Sequence, residues 1–206
     1  FTQDIQVEFI QRELLLPMTT HEEFVQHFWA GVTDRTRVIF LSHITSSTGL
    51  IFPAEEICKK ARDAGILTII DGAHVPGHIP LNITEMEPDI YTGACHKWLS
   101  SPKGASFLYV KKELQELIKP LIISWGREVD PSLSPFIHEN QLQGTRDPSP
   151  FLAVPAAIRF QEENDWESVK SQCRRLTRET RGRVYEIINT APICPNSEEW
   201  LGQMAT

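Results

Sequence analysis

The sequence predicts an α/β domain built on a mainly parallel sheet. Three observations carry that expectation. Short apolar, partly β-branched runs alternate with amphipathic helical stretches at short intervals, the signature of right-handed βαβ crossovers. The runs at 66–70 and 89–91 are short and bounded by turn residues, as buried parallel strands are. Each leads into a polar cluster, Asp71-Gly72-Ala73-His74 after the first and His96-Lys97-Trp98 after the second. The C-terminal ends of strands are where open α/β sheets bind ligands.

In chain order, residues 7–16 read as a strand already under way. Thr20 caps an amphipathic helix, with Glu23 three residues on as its capping-box partner. Residues 37–42 predict a second strand, followed by a polar loop over 43–49. Pro53 at the first helical position, with Glu55 and Glu56 in the first turn, opens a helix that Gly65 ends. The strand at 66–71 follows, then a turn-rich stretch with Pro76, Gly77 and Pro80, then the short strand reaching Tyr91. Beyond Lys97, Ser101-Pro102-Lys103-Gly104 is a turn and residues 105–110 alternate into a strand. A charged helix runs from Lys111 towards Ile118. Residues 121–150, rich in Pro, Ser and Gly, break this rhythm and predict a long functional excursion. From Pro150 the pattern is helical, and Asn164-Asp165-Trp166-Glu167 opens a long helix bearing Arg174, Arg175, Arg178, Arg181 and Arg183. A solvated face with acid–base pairing along the helix explains those arginines better than phosphate binding does.

The chain has 206 residues, 41% hydrophobic and 23% charged, an ordinary globular composition with length enough for a sizeable core. A net charge of −7, with no basic stripe to offset it, argues against nucleic acid as a partner. No apolar run approaches the roughly 20 residues needed to cross a bilayer, and no signal-peptide pattern opens the chain. Cys58, Cys95, Cys173 and Cys194 form no Cys-x-x-Cys pair, which favours free thiols in a reducing compartment. The expectation is a cytoplasmic protein with no membrane partner. Both ends are abrupt, which suggests a segment of a longer chain.

The polar clusters narrow the chemistry. A carboxylate at one strand end and a lysine at a nearby one are the two protein groups that pyridoxal 5'-phosphate (PLP) requires. Lys97 would form the Schiff base, and Asp71 would keep the pyridine nitrogen protonated so that the ring acts as an electron sink. A surface ion pair is the plainer reading of a lone Lys and Asp; placement at two strand ends, each beside a histidine, sets this pair apart. A free lysine, with a pKa of about 10.4, is a poor nucleophile at neutral pH, so the site must desolvate it or surround it with positive charge. His74, three residues beyond Asp71 on the same turn, is in reach of the cofactor's ring oxygen. His96 is placed towards the phosphate. Cys95 reads as a small buried hydrophobe. No Gly-x-Gly-x-x-Gly follows a strand, which argues against a dinucleotide.

Asp71-Gly72-Ala73-His74 followed by Gly93-Ala94-Cys95-His96-Lys97-Trp98 resembles the class V aminotransferase family of fold-type I PLP enzymes, closest to its isopenicillin N epimerase-like branch. The loop Ser42-His43-Ile44-Thr45-Ser46-Ser47-Thr48-Gly49 resembles the family segment that places a polar side chain near the ring oxygen. Ser46 takes that position, with Thr45 beside it as a further cofactor contact. Ser124-Trp125-Gly126 and Gln143-Gly144-Thr145-Arg146-Asp147 resemble later segments of the same branch. The resemblance implies a three-layer α/β/α domain followed by C-terminal helices. Residues 1–160 would form the PLP-binding large domain and 161–206 a helical segment leading towards a small domain. It also implies a homodimer with shared sites, in which Gly144 and Thr145 reach the phosphate of the partner subunit's cofactor.

The implied activity is reaction at the α-carbon of an amino-acid-type small molecule, by epimerisation. Cysteine desulfurase-like C–S bond cleavage and transamination are the alternatives within the family; a non-catalytic dimerisation domain or truncated, inactive fragment is the alternative outside it. Two departures bear on this. Many relatives carry Ser or Thr three residues before the lysine to hold the phosphate, where this chain has Ala94, so His96, Thr92 or backbone must serve. The family's upstream phosphate-binding turn and stacking aromatic, and its C-terminal carboxylate-binding arginine, are also absent. The expectation is that this segment alone binds PLP weakly or not at all.

Overall fold

A computed structural model describes residues 7–124, 132 and 134–206. Thr20 starts the first helix as expected: its hydroxyl accepts the Glu23 N–H at 3.1 Å, and α1 runs His21–Trp29. β1 (Val38–Ser42), α2 (Ala54–Asp63), β2 (Leu67–Asp71), the one-turn α3 (Ile83–Met86), β3 (Ile90–Ala94) and β4 (Ser106–Val110) follow. Pro53 serves as the cap of α2, one position earlier than expected. Gly65 ends that helix with φ of +68°, a left-handed geometry glycine adopts without steric cost. Beyond the sheet come α4 (Pro135–Gln141), α5 (Ser149–Glu163) and α6 (Trp166–Ile188).

The strands form one sheet in the order β1-β2-β3-β4, with β1, β2 and β3 parallel and β4 antiparallel to β3. The mostly parallel α/β arrangement is the one expected. In α2 the buried residues Ala54, Ile57, Cys58 and Ala61 recur at helical spacing and make one apolar stripe. They share a core with Ile39 and Leu41 of β1, Ile70 of β2, Tyr91 of β3, and Phe24 and Val25 of α1. Burying each large aliphatic side chain contributes about 1.5–3 kcal/mol. Trp200 and Leu201 join the same core, where Leu201 bridges to Leu50.

Three expectations change. Residues 7–16 form no strand; Phe9 is 80% exposed, and the segment is tied to α1 through Arg12, whose guanidinium donates to the His27 carbonyl at 2.9 Å. Apolar content makes a strand only where a neighbouring strand takes up the backbone N–H and C=O groups, and among the described residues no strand pairs with it; the Glu13 carbonyl is met instead by Nε2 of His27 at 2.8 Å. The charged stretch after β4 is a 3₁₀ helix, Lys112–Leu117, with no buried residue, so no packing selects the α form. The arginines of α6 are not all solvated. Arg175 does lie 3.8 Å from Glu179 along the helix, but Arg181 is 5% exposed. Its guanidinium donates to the carbonyls of Cys194 and Thr206 at 3.2 and 3.1 Å. In the excursion, Trp125 and Gly126 lie outside the described residues.

Candidate active site

Because β1, β2 and β3 are parallel, their C-terminal ends share one edge. Pairing continues one residue past the strands: the His43 N–H donates to the Asp71 carbonyl, and the Gly72 N–H to the Thr92 carbonyl, both at 2.8 Å. The Asp71 side chain is fixed by a local turn, its Oδ1 accepting the Ala73 N–H at 2.9 Å. Gly72 is required where it stands, since a Cβ there would fall 2.1 Å from the Tyr91 hydroxyl. Gly93 is equally confined, with the Phe107 ring 2.4 Å from where its Cβ would be.

The loop after β3 returns Lys97 to this edge. Its Nζ lies 2.9 Å from Nε2 of His74, and the Trp98 indole N–H donates to Nδ1 of the same ring at 3.3 Å. Burial, and then the charge that Lys97 can carry, push the His74 pKa below its ordinary value against the opposing pull of Asp71. Among the described residues Asp71 pairs with no lysine or arginine. The ordinary ion pair sits at the opposite edge of the sheet, where Lys111 Nζ lies 2.8 Å from Asp89. Asp89 there also accepts the Thr68 N–H at 2.8 Å, locking β2 to the start of β3.

The structure thus joins Lys97 to His74, on the turn that Asp71 opens. No hydrogen bond among the described residues links Ser46, His96, Gly144 or Thr145 to that cluster. Ser46, His96 and Thr145 are exposed. The Thr45 hydroxyl is engaged inside its own loop, 2.6 Å from that of Thr48 and accepting the Leu50 N–H at 3.0 Å. The Thr92 hydroxyl donates to the Phe107 carbonyl at 3.1 Å. Gly144 has φ of +88°, and Arg146 nearby donates to the Gly104 carbonyl at 3.2 Å, tying the excursion to the turn before β4. All four cysteines are free; Cys95 is buried, and burial raises its thiol pKa, as suits a small hydrophobe.

Two histidines beneath the site had no functional reading in the sequence. Nδ1 of His43 lies 3.1 Å from the Tyr91 hydroxyl, both groups buried directly under the Asp71-Gly72 turn. His78 accepts the Gln203 N–H at Nε2, 2.6 Å away, so Nδ1 carries the proton and donates to the His74 carbonyl at 2.9 Å. Its ring stacks on Trp98 with centroids 4.2 Å apart. Burial pushes both His43 and His78 down to about 4.

Acid should therefore weaken this fold. Both values lie below the ordinary histidine pKa of about 6.5, so in acid the unfolded chain binds protons that the native state refuses. Stability is full above that ordinary value and falls as the pH drops towards the native ones. By mid-window the loss should be about 1.5–2 kcal/mol per histidine, half of what is lost once the pH is below both values. Urea midpoints measured on either side of that window check this; an unchanged midpoint would mean that both rings are charged in the native state.

Known proteins share this architecture. The family model described as "Aminotransferase class-V" matches residues 15–204. Isopenicillin N epimerase of Amycolatopsis lactamdurans is 36% identical over 190 residues, covering 87% of this chain and 48% of the relative. Hercynylcysteine sulfoxide lyase of Schizosaccharomyces pombe is 30% identical over 201 residues, covering 93% of this chain and 48% of the relative. The chain spans about half the length of the curated relatives it matches. Among solved structures, the apo form of a cysteine desulfurase from Thermococcus onnurineus NA1 superposes with a TM-score of 0.68 at 22% identity, over 81% of this chain and 42% of that one. That likeness carries the fold, the three-layer α/β/α type. Among the described residues no helix is long and apolar enough to cross a membrane.

Proposed function

We propose that this chain, which belongs to the class V aminotransferase family, forms the PLP-binding core of an enzyme acting at the α-carbon of an amino-acid-type substrate. One observation carries the reading: a half-buried lysine amine against His74, on the turn where Asp71 holds a carboxylate that pairs with no lysine or arginine among the described residues. These residues fit the group. Lys97 offers the amine that an aldehyde takes, and Asp71 offers an uncompensated negative charge for a ring N–H⁺.

When bound, PLP supplies that aldehyde and a ring that withdraws electrons from the α-carbon. Lys97 would hold the group by its amine and, with that amine free, would be the base positioned to move the α-proton. Asp71 would hold a proton on the ring nitrogen, and His74 would orient the ring oxygen. Ser46 would be a further contact beside the ring, and Thr45 one only if its hydroxyl leaves Thr48 and the Leu50 N–H. His96, with backbone N–H groups, would meet the phosphate, because Ala94 offers no hydroxyl and that of Thr92 is engaged. Gly144 and Thr145 would complete the same site from the partner subunit of a cytoplasmic homodimer.

For the reaction itself, epimerisation is favoured by the 36% identity to a protein named isopenicillin N epimerase. Cleavage of a carbon–sulfur bond is the second reading, favoured by the 30% identity to a named sulfoxide lyase. Both begin by removing the α-proton. The full-length protein, loaded with PLP and given amino acids in D2O, should exchange the α-hydrogen, read by proton NMR. A D-isomer formed from an L-substrate supports epimerisation; a keto acid released from a cysteine derivative supports lyase chemistry. Bound PLP with no exchange for any amino acid would mean a non-catalytic domain.

A further inference from the structure

Lys97 sits at the end of a chain of hydrogen bonds whose proton order is fixed by its first member. An indole nitrogen can only donate. Because Trp98 Nε1–H points at Nδ1 of His74, 3.3 Å away, Nδ1 must present a lone pair. A neutral imidazole with a bare Nδ1 carries its proton on Nε2, and the atom 2.9 Å beyond Nε2 is Nζ of Lys97. That nitrogen must then accept, which an ammonium cannot do. We propose that Trp98 is a positioning residue for Lys97: through His74 it biases the ring to the Nε2–H tautomer, which favours the neutral, nucleophilic amine over the ammonium.

The surroundings hold this order in place. Trp98 is stacked on His78, whose own tautomer is set by the Gln203 N–H on one side and the His74 carbonyl on the other. The Trp98 carbonyl accepts from Gln161 of α5 at 2.9 Å. Gly77 keeps the backbone behind Trp98 close, since a Cβ there would lie 2.5 Å from that carbonyl oxygen. Gly202 does the same for His78, whose Nε2 would be 2.2 Å from its Cβ. Burial pushes the His74 pKa down, the direction the order requires. The charged or titratable neighbours of the relay are Asp71, which faces His74 from the same turn, and His78 with Arg174 and Lys170 of α6 behind it. The hydrogen-bond order stands on geometry alone; its use in catalysis rests on Lys97 being the residue that binds PLP.

The test uses the cofactor-free full-length protein labelled with ¹⁵N-histidine, and its Trp98→Phe variant. Phenylalanine keeps a ring against His78 and removes the N–H. In the parent, His74 should show the Nε2–H tautomer by its two ring nitrogen shifts. In Trp98→Phe that preference should be lost, and the rate at which trinitrobenzenesulfonate modifies Lys97 at neutral pH should fall about fivefold, the factor one net hydrogen bond supplies. An Nδ1–H tautomer in the parent would overturn the proposal, and that measurement stands even if the variant does not fold. So would a folded variant with unchanged tautomer and unchanged lysine reactivity. Failure of the wider reading shows separately, as a protein with the expected tautomer and reactivity that takes up no PLP.

Discussion

Asp71→Asn should leave the fold standing and cost about 10³-fold or more in the rate of α-proton removal. The substitution keeps the size and the Oδ1 atom that accepts the Ala73 N–H, so the turn into Gly72 has its local bond either way. No cation among the described residues depends on the Asp71 charge, so its loss breaks no ion pair. What disappears is the ability to hold a proton on a ring nitrogen, because a carboxamide carries no negative charge to stabilise it. The expected result is an unchanged thermal midpoint, retained binding of PLP, and α-hydrogen exchange in D2O slowed by at least that factor. Near-normal exchange would mean that another acid pairs with the ring. A large drop in thermal midpoint would mean instead that Asp71 is chiefly structural.

Much of this site was legible in the sequence because its parts are local. Asp71-Gly72-Ala73-His74 is a contiguous turn after an apolar run, and parallel pairing of that run places it. The Thr20 cap, the helix opened at Pro53 and ended by Gly65, and the strand at 105–110 follow from equally short patterns, while the antiparallel pairing of that last strand does not. What was not legible depends on which long-range neighbour arrives. Trp98 had no role of its own beside the lysine, and only the return of the 95–101 loop onto the 72–78 turn gives its N–H a partner. His43 was one polar residue in a polar loop until Tyr91, 48 positions away, came beneath it. Arg181 looked like its solvated neighbours, yet the tail at Cys194 and Thr206 folds back to enclose it. The run at 7–16 failed as a strand for the converse reason, a pattern without a partner.

Replacing Lys97 with alanine should abolish covalent capture of PLP, and in the parent borohydride should fix the cofactor to the peptide carrying Lys97. Lys103 is the competing amine, but it is exposed in the turn before β4, with no strand end directing it at Asp71. A label on Lys103 would overturn the assignment. The same variant also tests the shared site. If the Thr145 that meets the phosphate comes from the partner subunit, Thr145→Ala should lose PLP affinity without touching the lysine of its own chain. Thr145 is exposed and bonded to nothing in the Lys97 cluster, as a residue serving a neighbouring subunit would be. Mixing the two variants forms hybrid dimers with two unlike sites. One site takes Lys97 from the threonine variant and Thr145 from the lysine variant, so it is whole; the other carries both lesions. Two weak or inactive proteins should therefore recover activity on mixing, towards half that of the parent per hybrid dimer. Proven subunit exchange without recovery would sink the shared site and return residues 121–150 to the role of a solvent-exposed connection.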